Sequence, residues 1–207
     1  MYAITGITGK VGGALARTLL DAGQPVRAVV RDAMRGQSWA ECGCDVAVAN
    51  MDDAAALAAA FAGADGVFIL PPSEFDPAPT FPEARAVINA VKTAIESARP
   101  GKVVCLSTVG AQATQSNLLT QRTLMEQALG KLSMPVTFLR PGWFMENAIW
   151  DVAPARAKGI QCRASRCSMD STKAGSTSKA TKQSCSKVGW IWKRYSGRWY
   201  RKLANVH

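Results

Sequence analysis

Gly6-Ile7-Thr8-Gly9-Lys10-Val11-Gly12 is the stretch that decides how this chain folds. Before it, Tyr2 to Thr5 is a short apolar run ending at glycine, as a buried parallel strand does. Behind it, Lys10 to Ala22 places Val11, Ala14, Leu15, Thr18 and Leu19 on one helical face and stops at Gly23. Three glycines spaced G-x-x-G-x-x-G at a strand–helix junction have a chemical reason. A tight turn needs a residue tolerant of positive φ, close approach of a pyrophosphate forbids a Cβ, and helix–strand packing wants the last residue small. The free amides of the helix N-terminus, with the helix dipole behind them, then hold an anion. Gly6, Thr8, Gly9, Lys10, Val11 and Gly12 are therefore candidate phosphate-binding positions, with Thr8 adding a hydroxyl and Lys10 a cation. A purely structural glycine-rich turn is the competing account. A P-loop is not supported, because Val11 follows Lys10 where that motif needs Ser or Thr.

The alternation continues outward. Val26 to Arg31 reads as a second strand, followed by a short helix over Ser38 to Cys42. Asp45 to Ala49 is a third strand, and Asp53 can cap an Ala-rich helix through Phe61. Gly66 to Leu70 is a fourth strand halted by Pro71-Pro72. A helix over Phe81 to Ala98 follows, then a fifth strand over Lys102 to Ser107, a helix over Leu118 to Leu132 and a sixth strand over Val136 to Leu139. Strands alternating with helices at this spacing imply βαβ units, hence an α/β, Rossmann-like parallel sheet with helices on both faces. Ligands in such sheets sit at the carboxyl ends of the strands, near the switch in strand order.

Composition narrows the chemistry. The 207 residues carry a formal net charge of +10. Residues 1–155 hold 12 Lys and Arg against 14 Asp and Glu, whereas residues 156–207 hold 13 against one, Asp170. The basic character thus belongs to the last quarter. The one histidine is His207, which excludes ordinary Ser–His–Asp, Cys–His and two-His zinc chemistry. No pair of cysteines has C-x₂-C spacing, so Cys42, Cys44, Cys105, Cys162, Cys167 and Cys185 are expected as free thiols and no metal is expected. The longest central apolar run, Ala54 to Ala64, is too short to span a bilayer, so no membrane association is expected. The opening residues carry no signal-like pattern, which points to the cytoplasm.

Strand two ends at Val29-Val30-Arg31-Asp32. Asp32 lies twenty residues past Gly12, where an acid binds the ribose hydroxyls of NAD. Arg31 comes first at the strand end, and a guanidinium grips a 2′-phosphate bidentately, with Arg35 in a position to assist. NADP is favoured, with NAD possible; a solvated surface charge is the remaining account of Arg31.

These residues resemble the NmrA-like group of atypical short-chain dehydrogenases/reductases. The matching stretches are Ile4 to Gly12, Val26 to Asp32, Asn50-Met51-Asp52-Asp53, Ala62 to Leu70, Val104 to Thr108 and Leu139 to Asn147. The likeness covers about residues 1–157. It implies a Rossmann-like fold binding NAD(P)H, with Asn50 and Met51 near the adenine and Leu70, Pro71 and Pro72 against the ribose. Ser107 and Thr108 would lie near the nicotinamide. The residue four before the helix glutamate (here Glu126) is Lys or His in many relatives and faces the cofactor; here it is Arg122, which keeps the charge but cannot shuttle a proton at neutral pH. Ser107 and Thr108 could instead simply finish a strand, and Asn147 cap a helix.

Classical members of the superfamily use a Tyr-x-x-x-Lys pair. The tyrosines here are Tyr2, Tyr195 and Tyr200, and none has Lys four residues on. No catalytic residue is therefore assigned. Hydride transfer can proceed without a protein phenol when the acceptor is quinone-like and the cofactor carries the chemistry. The expected function is an NAD(P)H-binding oxidoreductase reducing a small electrophile such as a quinone. The alternative is a non-catalytic redox sensor acting through a regulatory protein partner.

After Ala157 the pattern collapses. Residues 156–207 contain five Leu, Ile, Val or Phe, while Trp190, Trp192 and Trp199 crowd the end. The resemblance implies further strands and helices building a substrate-facing lobe, so the C-terminal lobe is expected to be truncated or aberrant. The division expected is a nucleotide-binding domain over 1–157 and a basic, low-aliphatic tail over 158–207. Three accounts of the tail stay open: a change of reading frame, a divergent or poorly ordered tail, and a nucleic-acid-binding arm using Lys193, Arg194, Arg198, Arg201 and Lys202. Nucleic acid is expected through no other part of the chain.

Overall fold

Residues 1–117, 119–142, 144–149 and 152 are described in a computed structural model. The expectations for the basic tail, for Trp143 and for a helix start at Leu118 lie outside these residues. Met1–Met145 forms one unit, and every candidate site residue lies in it.

Six strands and five helices alternate along this unit: β1 (Tyr2–Thr5), α1 (Lys10–Asp21), β2 (Val26–Val30), α2 (Ala33–Glu41), β3 (Asp45–Val48), α3 (Ala54–Phe61), β4 (Gly66–Ile69), α4 (Pro82–Ala98), β5 (Val103–Leu106), α5 (Thr120–Leu129) and β6 (Val136–Leu139). A 3₁₀ turn spans Met145–Ala148. The sheet order is β3-β2-β1-β4-β5-β6, and every pairing is parallel. Ile4 stands between Ala28 of β2 and Phe68 of β4, so the order reverses at β1.

The direction of travel decides which face each helix covers. Steps from β1 to β3 run one way and steps from β3 to β6 run the other, so right-handed crossovers put α1 and α2 on one face and α3 to α5 on the opposite face. The cores agree. Ala3, Val29, Val67, Ile69, Val103 and Cys105 pack with Leu57, Phe61, Val91, Ile95, Met125 and Leu129. On the other face Ile4, Ala28, Val30 and Phe68 pack with Ala16 and Trp39. That second face is covered unevenly. Val104 and Leu106 are only half-buried and Leu139 is 46% exposed, because the rule that sends α4 and α5 to the opposite face leaves none of the described helices over β5 and β6.

Two helices differ from expectation. α2 begins at Ala33, five residues before the expected Ser38, because the Asp32 carboxylate accepts from the Met34 amide at 3.0 Å and caps it. Gly36, a poor helix former, sits inside it because a Cβ there would stand 2.5 Å from Val46 Cγ1. α5 is shorter than expected at both ends. An Asn117 turn, whose side-chain oxygen accepts from the Leu119 amide at 2.7 Å, precedes it, and Gly130 caps its end. Asp53 caps α3 as expected, accepting from the amides of Ala55 and Ala56 at 3.0 Å each.

Candidate functional site

A cleft of about 510 Å³ opens at the carboxyl ends of the strands around the β1–β4 reversal. Thr5 builds its floor. Its hydroxyl donates to Phe68 O at 3.2 Å and accepts from Leu70 N at 2.8 Å, tying β1 to β4 where the sheet changes direction. Nothing in the local sequence marks Thr5 for this, since the partner strand lies over sixty residues away.

Gly6 follows with φ +64°, and a Cβ on it would press Leu70 at 3.0 Å. The loop closes through Gly9 N donating to Gly6 O at 3.0 Å. Gly12 is the tightest position, since a Cβ there would lie 2.4 Å from Gly6 O. Gly9 is the N-cap of α1 and supplies no side chain to cap it, so the first-turn amides at Lys10, Val11 and Gly12 stay available to an anion. Lys10 is exposed beside them. Val11 can contribute only its backbone, because its side chain packs in the apolar cluster with Leu15 and Leu19.

Around the cleft stand Gly6, Thr8, Arg31, Arg35, Asn50, Met51, Leu70 and Pro72, so residues from the ends of β1, β2, β3 and β4 converge on one cavity. Arg31, Arg35 and Asn50 are exposed, and among the described residues neither arginine forms an ion pair. Asp32 points its carboxylate at its own helix cap. Pro71 is buried behind the cleft wall.

Ser107, Thr108 and Arg122 form a second group, on the β5 side. Ser107 is buried, its amide extends the β5–β6 ladder to Leu139 O at 2.7 Å, and its hydroxyl donates to Glu126 Oε1. Arg140, just past β6, donates from Nε to Glu126 Oε1 at 2.8 Å and pairs through Nη2 with Oε2. The Arg140 guanidinium, opposed by burial and assisted by the Ser107 hydroxyl, holds the Glu126 carboxyl below the usual glutamate range. Thr108 is half-buried, and its hydroxyl donates to Val109 O at 3.2 Å.

Arg122 stands against the segment that follows β4. Its guanidinium donates to Pro71 O at 2.9 Å, to Pro72 O at 3.2 Å and to Ser73 Oγ at 2.6 Å, fixing the segment after β4. Gln121 beside it donates to Glu74 O at 2.7 Å and accepts from Glu74 N at 3.2 Å. The α5 N-terminus thus clamps the cleft wall. Cys105 lies inside this layer, where burial pushes its thiol up to about 12, so it is no nucleophile at neutral pH.

A second cavity of about 460 Å³ lies between α5 and the Ala111–Ser116 segment, bordered by Gln112, Thr123 and Glu126. No group of three or more His, Cys, Asp or Glu that could hold a metal occurs among the described residues. None of the described helices is long and apolar enough to cross a membrane.

A family model described as NAD(P)H-binding matches residues 6–169. The chain is 30% identical over 161 residues to an NAD(P)H azoreductase of Xenophilus azovorans, covering 77% of this chain and 54% of that protein. It is 28% identical over 172 residues to an NmrA-like family domain-containing oxidoreductase of Cladobotryum, covering 74% and 50%. Among solved structures, the NADPH-dependent quinone oxidoreductase of Escherichia coli complexed with NADPH superposes with a TM-score of 0.66 at 25% identity, over 77% of this chain and 55% of that one. The chain spans about half the length of the curated relatives it matches. A Rossmann-like sheet, a helix N-terminus without a side-chain cap behind a loop whose Gly6 and Thr8 line the switch-point cleft, and the family match agree: the chain belongs to the NAD(P)H-binding, NmrA-like family.

Proposed function

We propose that this chain is an NADPH-binding reductase acting on a small electron-deficient acceptor such as a quinone. The observation that carries it is the junction of β1 and α1. There a helix N-terminus without a side-chain cap, cleared of side chains by Gly6 and Gly12, follows a loop that lines a cleft rimmed by two arginines with no ion pair among the described residues. The backbone amides from Lys10 to Gly12, with the Thr8 hydroxyl and the Lys10 cation, fit the pyrophosphate. Arg31 and Arg35 fit a 2′-phosphate, and Asp32, the acid that would favour NAD, caps α2 through Oδ1 and is not among the residues lining the cleft. Asn50 and Met51 border the adenine, and Leu70, Pro71 and Pro72 wall the ribose. Ser107 and Thr108 stand at the nicotinamide end.

The bound nucleotide supplies the hydride. The protein holds it across the switch point, shapes the space above it and leaves protonation of the reduced acceptor to solvent, since no Tyr-x-x-x-Lys pair is present. A quinone suits this division of labour, because its reduced oxygens need no buried acid to take up protons. The azoreductase and quinone oxidoreductase among the relatives support an enzyme over a regulator. The test is NADPH oxidation, followed at 340 nm, against a panel of quinones. Acceptor-dependent turnover is expected; cofactor binding without turnover on any acceptor would overturn the reductase reading and leave a nucleotide-binding module.

A further inference from the structure

The unevenly covered face of the sheet carries an apolar groove of about 360 Å³ with a charged residue at one end. Its floor is built from alternate residues of neighbouring strands: Ile4 of β1, Phe68 of β4, Val104 and Leu106 of β5, and Leu139 of β6. Residues of α1 form one wall. At the end where the strands begin, the groove is bordered by Tyr2, by Gly66 and by Lys102, directly before β5.

Gly66 makes that corner possible. A Cβ on it would stand 2.9 Å from Tyr2 Cδ1 and 3.9 Å from Lys102 Cβ, so the phenol ring and the lysine stem flank the space that a side chain at 66 would fill. Among the described residues Lys102 forms no ion pair, and neither its ammonium nor the Tyr2 hydroxyl makes a hydrogen bond. Asp65, next to Gly66 in the chain, is held by the Met1 amino group instead. A lysine keeps its stem along apolar surface and its ammonium in water, where the ammonium is free to meet an anion. From Lys102 to Leu106 the strand advances about 13 Å, the reach of an extended alkyl chain of about ten carbons. A second copy laid face to face is a poorer occupant, because it would cover Lys102 while the lining offers no acid to pair with it.

We propose that this groove binds a long-chain carboxylate, with its alkyl chain on Ile4, Phe68, Val104, Leu106 and Leu139 and its head at Lys102 and Tyr2. The head lies at the amino ends of the strands, whereas the nucleotide cleft opens at their carboxyl ends. The proposal therefore does not depend on the cofactor reading.

The test is calorimetric titration of the full chain with dodecanoate, decanoate and octanoate below their micelle concentrations. Dodecyltrimethylammonium serves as a probe with the same chain and the opposite charge. Saturable one-to-one binding of dodecanoate is expected, weakening by about two- to fourfold for each methylene removed. Lys102→Met should weaken dodecanoate by roughly fivefold while the dependence on chain length persists. Leu139→Glu puts a carboxylate into the groove from a position that is 46% exposed, and it should abolish binding without loss of the cooperative thermal transition. Equal binding of the cationic probe, or an affinity untouched by both substitutions, means non-specific uptake and overturns the proposal. Absence of saturable binding overturns it too, as does a dimer in sedimentation equilibrium that dodecanoate leaves intact, which would assign the face to a second copy.

Discussion

At the β2–β3 end of the cleft Arg31, Arg35 and Asn50 stand exposed with no ion pair among the described residues, whereas at the β5–β6 end Ser107, Glu126 and Arg140 are bonded to one another. One end keeps its charges free for a ligand. The other uses them to hold two strand ends and α5 in register, as Glu126 takes the Ser107 hydroxyl on one side and Arg140 on the other. On the proposed function, the difference separates residues that would recognise a ligand from residues that position the fold. Substitution at the first end should change affinity with little change in stability. At the second end stability should change first.

The largest effect is expected between the two ends, at the loop they share. In Gly12→Val a side chain must enter space where even a Cβ would lie 2.4 Å from Gly6 O, so the loop and α1 must separate. NADP⁺ affinity should fall by more than about 100-fold and stability by several kcal/mol, of the order seen for overpacked sites. Calorimetric titration and a thermal melt would check both; near-normal affinity would mean that the loop does not touch the nucleotide.

Arg31→Ala combined with Arg35→Ala should cost about 30- to 100-fold in NADP⁺ affinity, from charge-assisted hydrogen bonds to a 2′-phosphate. NAD⁺ affinity should hardly move, and the melting temperature should stay within a degree or two. Equal losses for both nucleotides would assign the arginines to the pyrophosphate and break the contrast drawn above.

Glu126→Ala should destabilise the protein by about 1–2 kcal/mol, since two hydrogen-bonded partners lose their acceptor while Arg140 can still reach water. The effect has a pH signature. The carboxyl titrates lower in the folded chain than in the unfolded one, so its contribution is fully present above the ordinary glutamate pKa. It is lost as pH falls through the depressed folded value. The gap in melting temperature between the parent and Glu126→Ala should therefore be widest near neutrality and close in acid; a gap independent of pH would mean that the carboxylate charge does not matter.

The smallest effect is expected at Asp32. Replacement by Ala removes the cap of α2 and should cost about 1 kcal/mol of stability. The preference between NADP⁺ and NAD⁺ should not shift, which separates a helix cap from a ribose-binding acid.

The two ends also differ in how visibly they were written in the chain. Gly6, Gly9 and Gly12 are legible because each is demanded by backbone geometry within seven residues, and the alternation around them follows from short-range periodicity. Arg31 and Asn50 are legible because they directly follow strands whose limits are local. Glu126 and Arg140 are not, since Ser107 and Glu126 lie 19 residues apart and Glu126 and Arg140 another 14, and their meeting depends on the parallel register that sets Leu106 opposite Leu139. The resemblance marks Arg122 as a cation near the cofactor, but its bonds to the Pro71 and Pro72 carbonyls and the Ser73 hydroxyl depend on a fold that brings residues some fifty apart together. The misplaced start of α2 has a local cause. Gly36 lowers the apparent helicity of the first turns, and its contact with Val46 of β3 is invisible in sequence.

The uneven second face of the sheet has a topological cause as well. The handedness that puts α4 and α5 on the face opposite α1 leaves Val104, Leu106 and Leu139 bordering an apolar groove of about 360 Å³ with Ile4, Val11 and Phe68. The turn to β6 thus completes the nucleotide-binding edge without completing the cover of both faces by described helices.

On the proposed function the glycine loop, Arg31 and Arg35 together make an NADP-selective dinucleotide site. Its most direct test is calorimetric titration of the purified chain with NADP⁺ and with NAD⁺ under the same low-salt conditions. The expected result is saturable one-to-one binding of NADP⁺, tighter than NAD⁺ by at least about tenfold. Equal or tighter binding of NAD⁺ would contradict the role given to Arg31 and Arg35, and absence of binding by either would contradict the site itself.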